Sequence, residues 1–172
     1  DLAPLALELA AWGVNDPASL SWLDAPPAAA FAQAQDLLRS LEAVDGAGRI
    51  TAMGKAMVKT PLHPRLAHMV VKGNTLGAGE AAAELAAFLS ERDGLGRDAG
   101  CDIGARILAT RGTARQRIQA TAKQIKQIAG IKADAASISE GVLTALAWPD
   151  RIAKRRGGDR RYRLSGGGGA IL

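Results

Sequence analysis

Apolar residues recur at three- and four-residue steps along most of the chain, the spacing that gathers them on one face of a helix. Leu2, Leu5, Leu9 and Trp12 open the series, and Gly13 supplies a stop. Pro26 and Pro27 suit a helix entrance, after which Ala30, Ala34, Leu37, Leu38 and Leu41 predict a longer helix. Asp45-Gly46-Ala47-Gly48 is a turn cluster, Arg49-Ile50 leaves room only for a short strand, and Thr51 is placed to cap the next helix. Helix, turn, short strand and helix together predict a winged-helix-like order of elements.

The prolines of Thr60-Pro61-Leu62-His63-Pro64 remove backbone donors and mark a joint. A helix restarting near Pro64 carries Leu66, Met69 and Val70 and ends between Gly73 and Gly77. Ala81, Ala82, Leu85, Phe88 and Leu89 make the next stripe, closed by Ser90 to Gly94, with loop to Gly100. Asp102 is placed as a cap, and Gly112 as a kink or break, in a helical run reaching Ala129. Within that run Ile107, Ile118, Thr121, Ile125 and Ile128 share a packing face, beside which lie Arg111, Arg115, Gln119, Lys123 and Lys126. Ser137-Ile138-Ser139-Glu140 fits a capping box opening a helix through Leu143 and Leu146, which Pro149 ends. From Asp150 the texture changes to an arginine-rich stretch and four glycines at 166–169, read as strand, glycine-rich turn and strand, the start of an incomplete β unit.

Composition supports a mostly α fold. Hydrophobic residues make up 48% of the 172 but aromatics only 3%, so the interior is filled by Ala, Leu, Ile and Val at close helix approaches. Trp12, Trp22 and Trp148 are expected in the core. Asp1 in place of an initiator Met suggests an excerpt of a longer protein, and the apolar start, Leu2 to Trp12, holds Glu8 and is too short for a membrane span of roughly 20 residues. The single cysteine, Cys101, suits a reducing compartment, so the cytoplasm is the expected location.

Charge divides the chain. Residues 1–60 carry four Lys/Arg against seven Asp/Glu, whereas 61–172 carry eighteen against ten. A basic surface attracts polyanions and releases their counterions, which makes nucleic acid the leading partner. The candidate nucleic-acid-binding residues fall in two groups: Arg111, Arg115, Lys123 and Lys126, and the denser Arg151, Lys154, Arg155 and Arg156. The competing reading of each is an ordinary solvated face.

Catalytic signals are weak. Between Gly48 and Gly54 lie five residues rather than the four of a phosphate-binding loop, and Ala56 stands where magnesium would need Ser or Thr. His63 and His68 lack neighbouring acids or thiols and read as structural, and Cys101 has no base beside it. No catalytic residue, metal ligand or cofactor site is therefore expected in this chain.

Four stretches resemble the region after the second RecA-like domain of DEAH-box helicases, the HrpB type above all. Trp22-Leu23-Asp24-Ala25-Pro26-Pro27 followed by Leu41-Glu42-Ala43-Val44-Asp45 resembles the family's LDPP … LGALD segment, with Ala25 and Val44 as departures. Ile50 to Met57 and Pro61-Leu62-His63-Pro64-Arg65-Leu66-Ala67 resemble LTxxGRAM … PLHPRLA, the most specific of the four. Leu89-Ser90-Glu91-Arg92-Asp93 resembles LSERD, and Ala147 to Arg156 resembles AYPDRIARRRG with Trp148 for the usual Tyr.

The resemblance implies a winged-helix-like module at 1–62, a helical ratchet-like module at 63–149 and the beginning of an OB-like β domain at 150–172. It also implies partners: single-stranded nucleic acid, RNA before DNA, and the RecA-like motor domains of the same polypeptide. ATP and magnesium would belong to those motors, since the nucleotide-binding loop, the Asp-Glu-x-His box and the arginine fingers are absent here. Two rivals follow from the residues. A helical adaptor binding only protein would use the basic tail for solubility. A winged-helix DNA regulator would need a basic recognition helix, but the helix after Pro26 sets Arg39 against Asp36 and Glu42.

Overall fold

The computed structural model describes residues 1–91, 95–158 and 160–171. It is mostly helical, with a small antiparallel sheet near the C-terminus. Arg92, Asp93 and Gly94, at the expected close of the fifth helix, and Leu172 lie outside the described residues.

Helix α1 (Ala3–Ala11) ends at Gly13, whose φ of 82° is cheap only for glycine. It buries Ala3, Ala6, Leu7, Leu9 and Ala10. The leucine stripe expected from spacing is thus rotated: Leu2 and Leu5 are only half-buried, and Trp12 is 76% exposed instead of in the core. Small alanines let α1 sit close to its neighbours, and Trp12 lies past the last helical turn, off the packed face. Trp22 is half-buried and donates its indole N–H to Pro17 O at 2.7 Å; Trp148 is half-buried against the helical core.

Helix α2 (Ala28–Ser40) buries Phe31, Ala34 and Leu38, with Leu41 following. The turn after it is drawn tight by the Asp45 carboxylate, which accepts from Ala47 N, Arg49 N and Arg49 Nε, each at 2.9 Å. The expected short strand reduces to one antiparallel bridge, Val44 with Ile50. Thr51 caps α3 (Ala52–Val58) as expected, its hydroxyl accepting from Gly54 N at 3.1 Å. These elements enclose a first apolar cluster, which Ala67 joins from the next helix.

That helix, α4 (Pro64–Thr75), begins at the joint, with His63 Nδ1 accepting from Arg65 N at 3.3 Å. Its Leu66, Met69 and Val70 belong to a second cluster with Leu85 of α5 (Gly79–Ser90). The two helices approach so closely that a Cβ on Gly73 would lie 2.7 Å from that of Ala82. Asp134 caps α5 from a distant loop, its carboxylate accepting from Glu80 N at 2.7 Å and Ala81 N at 3.1 Å.

Helix α6 (Ile103–Ala109) is capped by Asp102, and Gly112, at φ 61°, separates it from α7 (Gly112–Ile128). On α7 the buried residues are Ala114, Ala122 and Ile125, whereas Ile128, expected on that face, is 42% exposed. Helix α8 (Glu140–Ala147) takes Ser139 as its N-cap, not Ser137. The segment just before Ser137 is held in the α4–α5 turn instead, Ala135 N and Ala136 N both donating to Gly77 O at 2.8 Å. The sheet then runs β1 (Ala153–Arg155), β2 (Arg161–Leu164) and β3 (Gly169–Ile171), antiparallel in that order. No helix among the described residues is long and apolar enough to cross a membrane.

Buried His68 ties α4 to α8. Its Nδ1–H donates to Leu146 O at 2.8 Å, while Nε2 is buried with no partner among the described residues. A second proton there would be charged and unsatisfied. Burial accordingly lowers the pKa, the Leu146 bond and Glu42 opposing it and Lys72 reinforcing it. The stabilisation from neutral His68 is complete above the ordinary value of 6.5 and is lost as pH falls below it toward the depressed folded value. Urea midpoints should therefore drop between pH 7 and pH 5, and His68→Gln should flatten that dependence; an unchanged slope would contradict it.

Candidate nucleic-acid interface

The α7 group divides into cations held by protein oxygens and cations exposed at the surface. Arg111 precedes the helix and donates its guanidinium to Thr110 O at 2.9 Å and to Leu108 O, so it closes the α6–α7 break. Arg115 and Lys123 are exposed, about one and three turns further on, at the edge of a cleft of about 540 Å³. Leu85, Phe88, Ile118 and Leu143 line its apolar part, between α5, α7 and α8. Lys126 lines the cleft too, but its ammonium holds Glu84 at 2.9 Å and Glu80 at 3.2 Å on α5. Burial works against that charge, yet the two carboxylates outweigh it and keep the lysine pKa above its ordinary value. Arg117, also exposed on α7, was not singled out by the sequence pattern because it lies off the Arg115–Lys123 row.

The second group is more concentrated. Lys154, Arg155 and Arg156 line a groove of about 450 Å³ together with Arg163, Ile152 and Leu164. Arg155 donates to Gly158 O at 2.9 Å, which orders the hairpin. Lys154 and Arg163 face each other across the β1–β2 ladder. Like charges directly opposite destabilise a sheet, so this register is favourable where an anion lies between them. Period-two alternation in Arg161-Tyr162-Arg163 was the signal that could have added Arg163 to the set. Arg151 is exposed just before β1, in the 3-10 turn Pro149–Arg151, and does not line the groove.

Immediately before the second group, Asp150 enters an ion pair that no spacing rule foretold. Arg65, at the start of α4, donates both Nη atoms to the Asp150 carboxylate, at 2.6 and 3.0 Å, and Nη1 also to Ala147 O at 3.1 Å. The guanidinium holds the Asp150 carboxyl below the usual aspartate range. Among the described residues no cluster of His, Cys, Asp and Glu is arranged to hold a metal ion.

Residues 34–62 match the family described as helicase associated domain (HA2), winged-helix. Along its whole length the chain is 39% identical to the ATP-dependent RNA helicase HrpB of Escherichia coli (strain K12) and spans 20% of that protein. Over 90 residues, 52% of the chain, it is 32% identical to the pre-mRNA-splicing factor ATP-dependent RNA helicase prp22 of Schizosaccharomyces pombe, covering 8% of it. The crystal structure of the E. coli DExH-box NTPase HrpB superposes over 100% of this chain and 20% of its own, with a TM-score of 0.80 at 37% identity. The chain therefore spans about a fifth of HrpB's length, in a region where sequence and fold agree. It belongs to the helicase-associated regions of the DEAH/RHA helicases, of the HrpB type.

Proposed function

We propose that this region guides single-stranded RNA past the motor domains of the same polypeptide, in an ATP-dependent helicase of the cytoplasm. Residues 1–62 form the winged-helix-like part, 63–149 the ratchet-like part and 150–172 the OB-like part. ATP and magnesium bind the motors, and this region supplies no catalytic group. The observation that carries the reading is the groove lined by Lys154, Arg155, Arg156 and Arg163, with two of those cations facing each other across the ladder. Backbone phosphates supply the counter-charge that such a groove needs. On α7 the contacts rest on Arg115 and Lys123, with Arg111 and Lys126 already engaged by protein oxygens. The relatives named as RNA helicases favour RNA over DNA.

Fluorescence anisotropy with a labelled ten-nucleotide RNA tests this. Affinity should fall as salt rises, with a log–log slope of about −0.7 for each phosphate neutralised on a single strand. No binding even at low salt would reject it. Exposed Trp12 and Leu23 favour a second reading, a protein-binding adaptor, in which partner binding is insensitive to salt and RNA is not retained. A DNA-reading role finds little support on α2, where Arg39 is held by Asp36 at 2.6 Å.

A further inference from the structure

We propose that Asp150 is the fastener that fixes the basic sheet on the helical bundle, gripping Arg65 through its carboxylate and Gly166 through its carbonyl. The inference rests on the guiding role for its consequence, but not for its geometry.

The sheet cannot hold its own position by burial. Its strands are three and four residues long, and none of their residues is fully buried. Such a small ribbon is marginal without something to pack on. Polar bonds at one corner replace the missing core. The Arg65–Asp150 pair is bidentate and charge-assisted, the strong form of such a contact, and the Arg65 side chain is only 13% exposed. On the other side of the same residue, Gly166 N donates to Asp150 O at 3.0 Å. Ser165 completes the corner, N to Ile152 O at 2.8 Å and Oγ to Pro149 O. A Cβ on Gly166 would stand 2.9 Å from Asp150 O, so this one of the four consecutive glycines is needed for close approach.

Two stretches of the chain that share no sequence neighbourhood are thereby locked together: Pro61 to Ala67 and Ala147 to Arg156. The function of the lock follows from where the cations sit. Lys154, Arg155 and Arg156 begin four residues after Asp150, whereas Arg115 and Lys123 ride on the bundle. With the corner closed, a strand long enough to touch both groups meets one rigid surface, and the second contact is made at high effective concentration. With the corner open, each group binds alone. Loss of the carboxylate also leaves the poorly exposed Arg65 guanidinium without its counter-charge, so the corner is driven apart and not merely loosened.

The test uses the full 172-residue chain with a spin label on exposed Cys101 and a second on Gly158→Cys, and it measures the distance distribution between them. The fastener predicts a narrow distribution in the parent that broadens in Asp150→Asn and in Gly166→Ala, and that narrows again in Asp150→Glu. Gly166→Ala breaks the corner without touching any charge. In parallel, Asp150→Asn should weaken binding of a ten-nucleotide RNA roughly tenfold while leaving a tetranucleotide unaffected. An unchanged distribution in both Asp150→Asn and Gly166→Ala would overturn the fastener. Absence of RNA binding by the parent would instead sink the guiding role, with the label distances still deciding the fastener.

Discussion

Gly54→Ala is expected to destabilise the chain by about 2–4 kcal/mol, although alanine in a helix interior ordinarily gains about 1 kcal/mol over glycine. The sign reverses because a Cβ at this position would lie 2.2 Å from the carbonyl oxygen of Ala43 and 2.7 Å from the Ile50 side chain. The obstructing atom is backbone and is already committed. Ala43 O accepts from Thr51 N at 3.0 Å and from Thr51 Oγ1 at 3.1 Å, the same hydroxyl that caps α3. Relief of the clash must therefore break the cap or shift the α2–α3 turn, where Ala43, Val44 and Met57 are buried together. Urea unfolding of Gly54→Ala beside Gly46→Ala isolates the effect, because Gly46 has nothing within 4 Å of its would-be Cβ. A midpoint for Gly54→Ala equal to that of Gly46→Ala would contradict the packing account.

Gly54 also shows what a sequence does and does not disclose. Thr51 as a cap, Pro64 as a helix start, Gly112 as a break and Pro149 as a stop were all legible, because each follows from local backbone chemistry. The orientation of α1 was not. Spacing counts large apolar residues, whereas α1 and α7 bury alanines (Ala3, Ala6, Ala114, Ala122) that permit close approach, and the leucine or isoleucine beside them turns partly outward. The Ser137 cap failed for a different reason: backbone bonds to Gly77 hold the preceding segment elsewhere, a long-range constraint that no four-residue pattern carries.

The candidate site divides in the same way. The two basic clusters were readable as charge at helical or strand spacing. Their partners were not, since Glu80 and Glu84 lie more than a helix away from Lys126 in sequence, and Asp150 is remote from Arg65. Lys126 thus ties α5 to α7 in the fold, and in the proposed reading Arg115 and Lys123 carry the α7 share of the phosphate surface. The arginine-rich tail keeps its charge at the surface, because a ribbon of three short strands has no interior in which to lose it.

That difference sets the size of the last expected result. Replacing Arg151, Lys154, Arg155 and Arg156 together by Gln should lower affinity for a ten-nucleotide RNA on the order of a hundredfold at low salt, and flatten the salt slope by about 2–3. The loss should be equal for RNAs of different sequence, because phosphate contacts carry no base information. Arg115→Gln with Lys123→Gln removes only two cations and should flatten the slope by about half as much. Lys126→Gln should behave unlike either group, lowering the unfolding midpoint by leaving Glu80 and Glu84 without their shared cation, with little change in salt slope. All four tail side chains are exposed, but Arg155→Gln also removes the bond to Gly158 O that orders the hairpin, so a triple variant that keeps Arg155 is measured beside the quadruple one, and its binding loss reports on contact. If the quadruple variant binds like the parent, the sheet is not the phosphate surface. If it loses affinity with the slope unchanged, the tail contacts that were lost are not ionic, and phosphate neutralisation is not what the groove contributes.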